Sequence, residues 1–244
     1  MLLDASTIKG YEVEASDGLL GIVRDLLFED VNWTVRWVVV DVGHWLADRK
    51  VLLPPSAVGP PDRELRRLPT KLTMQQVKDA PDIDTDEPVS RQYNAHIDQY
   101  YSWIPAPIGS EGPLSNAIAQ PFVEPLPFSK MQPDDAPPGD PHLRSIATVT
   151  GYHVHATDGA IGHVENFLLE DLDWSIRYLT VDTKNWWPGE KVLISPHSVQ
   201  EIDWVEALIR VDLDREKIKH GPRYDPALMV EDTYQDRFHI HHGR

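Results

Sequence analysis

The sequence predicts a mainly β protein in which one small barrel of about six strands, each copy followed by short helices, is written twice around a Pro-rich linker. Three observations predict it. Gly10-Tyr11-Glu12-Val13-Glu14-Ala15 returns as Gly151-Tyr152-His153-Val154-His155-Ala156, and the offset of 141 residues then holds without a gap far downstream. An Asp-Gly pair follows in both copies, Asp17-Gly18 and Asp158-Gly159, as a tight hairpin demands. Between the copies, residues 104–146 carry ten of the 21 prolines and little apolar periodicity, which is linker composition. The expected organisation is a first module at 1–103, a linker at 104–146 and a second module at 147–244.

Each element has its own reason. Tyr11, Val13 and Ala15 recur unchanged while Glu12 and Glu14 become His153 and His155, the signature of a strand with one buried and one tolerant face. After the hairpin, residues 20–29 read as a long strand in which Gly21 and Gly162 mark a bulge or bend. Residues 33–41 and 174–182 are apolar at most positions and read as a central strand. A loop follows, containing Gly43 in the first copy and Pro188-Gly189 in the second. Residues 50–53 and 191–194 then form a strand that a Pro-containing turn ends. The stretch 201–213 offers one or two more strands, more clearly than its first-copy partner. Thr73-Met74-Gln75-Gln76 has the capping-box form, and Asp214 fills the same cap position in the second copy. Pro81 and Pro222 stop those helices. Val89, Tyr93, Ile97 and Tyr101 fall four apart, which predicts a further helix over 89–103 with a weaker counterpart over 231–241.

Composition narrows the function. The 23 Lys and Arg against 39 Asp and Glu give a net charge of −16, which repels a phosphate backbone, so no nucleic-acid partner is expected. The chain has no cysteine, which removes disulfides, thiolate nucleophiles and Cys-based metal centres and fits a reducing compartment. The opening residues lack the basic and apolar regions of a secretory signal, and no apolar run approaches the roughly 18 residues needed to span a bilayer. A cytoplasmic protein without a membrane span is the expectation.

The ensemble of Asp-Gly hairpin, Gly three residues later, apolar strand ending in Asp, and Lys-Val-Leu-[Leu/Ile]-x-Pro resembles the PRC-barrel family. Its residues are Asp17-Gly18, Gly21, 38–41 and 50–55, repeated at Asp158-Gly159, Gly162, 179–182 and 191–196. The resemblance covers about two thirds of the chain. It implies the barrel shared by the cytoplasmic domain of the photosynthetic reaction centre H subunit, the C-terminal domain of ribosome maturation factors and many stand-alone proteins. The doubling is most similar to the stand-alone group. The family brings no catalytic motif and no cofactor, so the resemblance implies a non-enzymatic docking or assembly role, with the H subunit as one precedent.

Candidate chemistry yields to structural readings. His153 and His155 share a strand face, but the first copy has Glu12 and Glu14 there. His239, His241 and His242 crowd the C-terminus, where metal binding is adventitious. Asp41/Asp182 and Lys50/Lys191 recur as register pairs at the base of a hairpin, each worth about 0–1 kcal/mol if exposed. Ser195-Pro196-His197 lies in one turn and cannot build a nucleophile, base and orienting acid. No catalytic residue is therefore assigned. The loop tryptophans Trp45, Trp186 and Trp187, with Trp103, are the candidate anchors for an unidentified protein partner. Trp33 and Trp174 are expected in the core. Pairing of the two modules within the chain, or homo-oligomerisation, is compatible with the duplication. An enzyme or a metal- or small-ligand-binding protein using the acidic surface, and a ribosome- or RNA-associated factor, are the competing classes.

Overall fold

The chain starts with a strand that lies upstream of the recognised repeat. In the computed structural model, which describes residues 1–43, 49–80, 101, 142–183, 190–221 and 224, β1 (Leu2–Asp4) leads into a one-turn helix, α1 (Ala5–Ile8). The first repeat continues with β2 (Glu12–Ala15), β3 (Gly18–Glu29), β4 (Thr34–Asp41), β5 (Lys50–Leu53) and β6 (Arg67–Pro69), and ends on α2 (Met74–Lys78). The second repeats the series: β7 (Leu143–Ser145), α3 (Ile146–Val149), β8 (His153–Ala156), β9 (Gly159–Glu170), β10 (Ile176–Asp182), β11 (Lys191–Ile194), β12 (Val199–Asp203), β13 (Leu208–Val211) and α4 (Arg215–His220). Residues 1–83 and 141–244 make one compact unit and residues 84–140 another; every strand and helix named here belongs to the first. β7 and the start of α3 fall inside the stretch expected as linker.

The protein is mainly β, in two sheets. One runs β5-β4-β3-β2-β6 with β7 added on β3; the other runs β11-β10-β9-β8-β13-β12 with β1 added on β9. Neither path closes on itself among the described residues, so the expected closed barrels are not seen in the strand pairings. The hairpins follow the sequence signals. Ala15 faces Gly18, and Ala156 faces Gly159, across the Asp-Gly turns. Both caps form: Thr73 accepts from the Gln76 amide in a complete capping box, and Asp214 accepts from the Lys217 amide.

The alternation also holds in the core. Val13, Leu20, Val23, Val38 and Val40 are fully buried, as are Val154, Ile161, Val164 and Val181. Removing one such side chain from water is worth about 1.5–3 kcal/mol. Gly21 and Gly162 allow the sheets to fold sharply. A Cβ at Gly21 would lie 2.1 Å from the carbonyl oxygen of Asp41, and one at Gly162 would lie 1.9 Å from that of Asp182. Only a hydrogen fits there. The long strands carry bulges at Arg24, opposite the pair Val39 and Val40, and at Glu165, opposite Thr180 and Val181.

Candidate functional site

The most elaborately built place in the described residues is the seam between the repeats, and its construction starts from strand lengths. β3 and β9 each have 12 residues, whereas β2 and β8 have four. The hairpin partner therefore leaves the far half of each long strand with an open edge, whose amides and carbonyls need bonds. The other repeat supplies them. β1 pairs antiparallel with β9, Leu2 opposite Glu170 and Asp4 opposite Leu168, while β7 pairs with β3, Leu143 opposite Glu29 and Ser145 opposite Leu27. Each leading strand is thus given to the opposite sheet, and the two registers are identical under the 141-residue offset.

The exchange is symmetric throughout. Thr34 bridges Ser175, its own counterpart. On either side the Val35 amide donates to the Trp174 carbonyl (2.9 Å) and the Ile176 amide to the Trp33 carbonyl (2.6 Å). Trp33 and Trp174 both take left-handed backbone, with φ of 54° and 58°. Such turns are unfavourable for a large residue. Here the tryptophans are buried as expected, and Phe28 stacks on Trp33 at 5.4 Å and meets Phe167 of the other repeat at 5.7 Å. The burial offsets the backbone strain.

Polar groups fix the seam. Asp25 accepts from the Ser145 hydroxyl and, at 3.1 Å, from the Ala147 amide. Its counterpart Asn166 accepts from the Ser6 amide at 3.1 Å and donates to Asp4 at 3.0 Å. Asp30 holds His142 at 2.8 Å and Arg144 at 2.7 Å, with the Asp30 and Arg144 side chains only 14% and 16% exposed. The Arg144 guanidinium also lies 3.6 Å from the Trp204 ring centroid. At the other end Arg63, the counterpart of Trp204, donates to the Leu2 carbonyl at 2.8 Å. Leu2 packs with Leu168, Tyr178 and Leu193 of the second repeat, and Tyr224 covers them.

Two titrating groups report on this burial. Burial pushes Asp4 above its ordinary value, against the opposing effects of the Tyr224 hydrogen bond and Arg63. Tyr224 is pushed up to about 12 by burial and then by the Asp4 charge beside its hydroxyl. A cleft of about 160 Å³ opens on the seam between α1 and α3, lined by Ser6, Lys9, Asp25, Thr150, Glu165 and Asn166. Its Asp25, Asn166 and Glu165 already bond within the protein. A second, more open hollow of about 370 Å³ lies where residues 55–60 meet residues 171–174.

The sequence-derived candidates fall differently. Trp45, Trp103, Trp186 and Trp187, and His239, His241 and His242, lie outside the described residues. His153 stands opposite His163 across β8 and β9, and no group of three or more metal-ligating side chains occurs among the described residues. Asp41 does face Lys50, and Asp182 faces Lys191. The bulge residues take the ion pairs: Arg24 binds Asp41 at 2.9 Å, and Lys191 binds Glu165 at 2.7 Å. The Gly43 amide, and then Arg24, hold the Asp41 carboxyl below its usual range. Exposed apolar side chains recur at matched hairpin tips, Val31 at 72% and Leu172 at 86% exposure.

No described helix is long and apolar enough to cross a membrane. Neither protein-family models nor curated protein sequences give a match to the chain.

Proposed function

We propose that the chain is a tandem PRC-barrel protein that acts without catalysis, as a docking or assembly element presenting two related surfaces to a protein partner. The observation that carries this reading is the reciprocal exchange of leading strands. It joins the duplicated modules into one pseudo-twofold body, in which many of the positions identical in both copies serve the framework. Tyr11/Tyr152, Gly21/Gly162 and Trp33/Trp174 are of this kind. What remains for recognition is what projects from that body in duplicate. Val31 and Leu172 project at the hairpin tips, beside Asn32 and Asp173. In the sequence, Trp45 and Trp186-Trp187 fall at matched positions of the two copies. Large apolar and aromatic side chains set among polar neighbours are the residue types that anchor interfaces.

The test is affinity purification from the native host with wild type, the Trp45→Ala/Trp186→Ala pair and the Val31→Ser/Leu172→Ser pair. The expected result is a partner retained by wild type and lost by at least one pair, with unchanged thermal melting. Identical partner sets for all three proteins sink the proposal.

A further inference from the structure

The seam is symmetric in backbone but not in chemistry, and the difference decides what can close on what. Asp4 and Ser145 are counterparts, as are Asp25 and Asn166. If a first repeat closed on another first repeat, the Asp4 carboxylate would stand where the Ser145 hydroxyl now meets Asp25. Two groups that only accept would then face each other at hydrogen-bond distance without a donor. Leu3 would replace Arg144 opposite Asp30, exchanging its guanidinium for the Met1 ammonium that Asp171 binds in the other half at 2.8 Å, so the Asp4–Asp25 clash is what selects against this closure. A first repeat with a second repeat satisfies every one of these groups. So does a second repeat with another second repeat, since Ser145 suits Asn166 and Arg144 suits Asp171.

The seam is also indifferent to which chain supplies its halves. Its bonds run between elements, and 64 residues, 79–142, lie in sequence between α2 and β7. Joining two partners in one chain acts as an effective concentration, on the order of 1 mM at most for a flexible connection. We propose that the seam is a selective docking surface for a second copy of this chain: the first repeat closes only on a second repeat, from its own chain or from another, giving a strand-exchanged dimer. This goes beyond any outside partner and does not depend on the loop tryptophans.

The experiment is co-refolding of unlabelled and 15N-labelled full-length chain, at about 1 mM and at about 1 µM, followed by native mass spectrometry. A mixed dimer is expected at the higher concentration and monomer at the lower. Monomer at both overturns the proposal. Cutting the mixed dimer at a protease site introduced into residues 110–135 separates exchange from side-by-side association. Exchange yields complexes of one first and one second repeat carrying different labels. Complexes of matched label alone, or any pairing of two first repeats, overturn it.

A second measurement tests selectivity within the monomer. Asn166→Asp sets two carboxylates against each other at Asp4 and is expected to lower the melting temperature by roughly 5 °C. Adding Asp4→Ser to that variant recreates the Asp25–Ser145 arrangement and is expected to restore most of the loss. An additive loss in the double variant overturns the assignment of Asp4 and Asn166 as the selecting pair.

Discussion

The first repeat pairs its bulge residue Arg24 with Asp41 on β4, whereas the second pairs its bulge residue Glu165 with Lys191 on β11. The framework offers each bulge the same Asp and Lys, in register on neighbouring strands, and the bulge residue takes whichever has the opposite charge. The seam shows the same freedom. A carboxylate accepts from a hydroxyl at Asp25 and Ser145, and an amide donates to a carboxylate at Asn166 and Asp4. An arginine sits on the exchanged strand at Arg144 and, in the other half, in the loop that holds it at Arg63. Geometry is kept while charges trade places, so complementarity within each pair is the constraint rather than the identity of either member.

The hardest way to break this likeness is at the glycines. Gly162→Ala is expected to cost about 4 kcal/mol or more, since its Cβ would meet a backbone carbonyl that cannot withdraw, and Gly21→Ala is expected to cost nearly as much. Urea unfolding of both variants checks this, and equal, small losses would remove the close approach as the reason for these residues. Arg144→Ala comes next, at about 2–4 kcal/mol, because it leaves the mostly buried Asp30 carboxylate with only His142 as a side-chain partner and no permanent charge opposite it. Leu2→Ala is expected to cost about 2–3 kcal/mol. Leu143→Ala should cost clearly less, because Leu143 is only half-buried where Leu2 is 5% exposed. Equal losses in thermal denaturation would contradict the asymmetric packing of the two exchanged strands.

Acid separates two aspartates by sign. Folding lowers the Asp41 pKa from 3.8, so the folded chain binds fewer protons than the unfolded one. Its stabilisation is complete above that ordinary value and is lost as pH falls through the folded value. Folding raises the Asp4 pKa from 3.8, so its contribution is complete below that value and is lost as pH rises through the folded one. Asp41→Asn is therefore expected to lower the urea midpoint at neutral pH and flatten its acid limb. Asp4→Asn is expected to raise the neutral midpoint, since the amide oxygen can still accept from Tyr224 and Asn166. The smallest effect is expected of Lys191→Ala, about 0–1 kcal/mol, because both partners of that pair are more than a third exposed.

The strands, hairpins and caps were legible because each is written locally. Alternation at residues 11–15, the Asp-Gly turns, and Thr73 and Asp214 at helix starts carry their own physical reasons. The Asp41–Lys50 register followed from the repeat itself. The seam was not legible, because nothing local says that a three-residue strand serves a strand that lies 164 to 168 residues further along the chain. A signal was present nonetheless. The 141-residue offset continues upstream of Gly10 to Thr7/Thr148 and Leu2/Leu143. Its persistence into residues counted as linker marks β7 as part of the module. Trp33 and Trp174 were readable as buried, but not as residues that bury themselves against the opposite repeat. That requires knowing which edges of β3 and β9 stand open.

Reciprocal exchange also sets a timetable for synthesis. When the first repeat leaves the ribosome, the end of β3 from Leu27 to Glu29 has β4 on one side but no partner on the other until Ser145 is made, and β1 waits for Glu170. For the time needed to add the 67 residues from Lys78 to Ser145 and the 92 to Glu170, at about 5–20 per second, the nascent protein shows a naked strand margin and a loose apolar tail. A chaperone that shelters extended segments would find its substrate in that interval, and slowing translation between the repeats should lengthen the exposure in proportion.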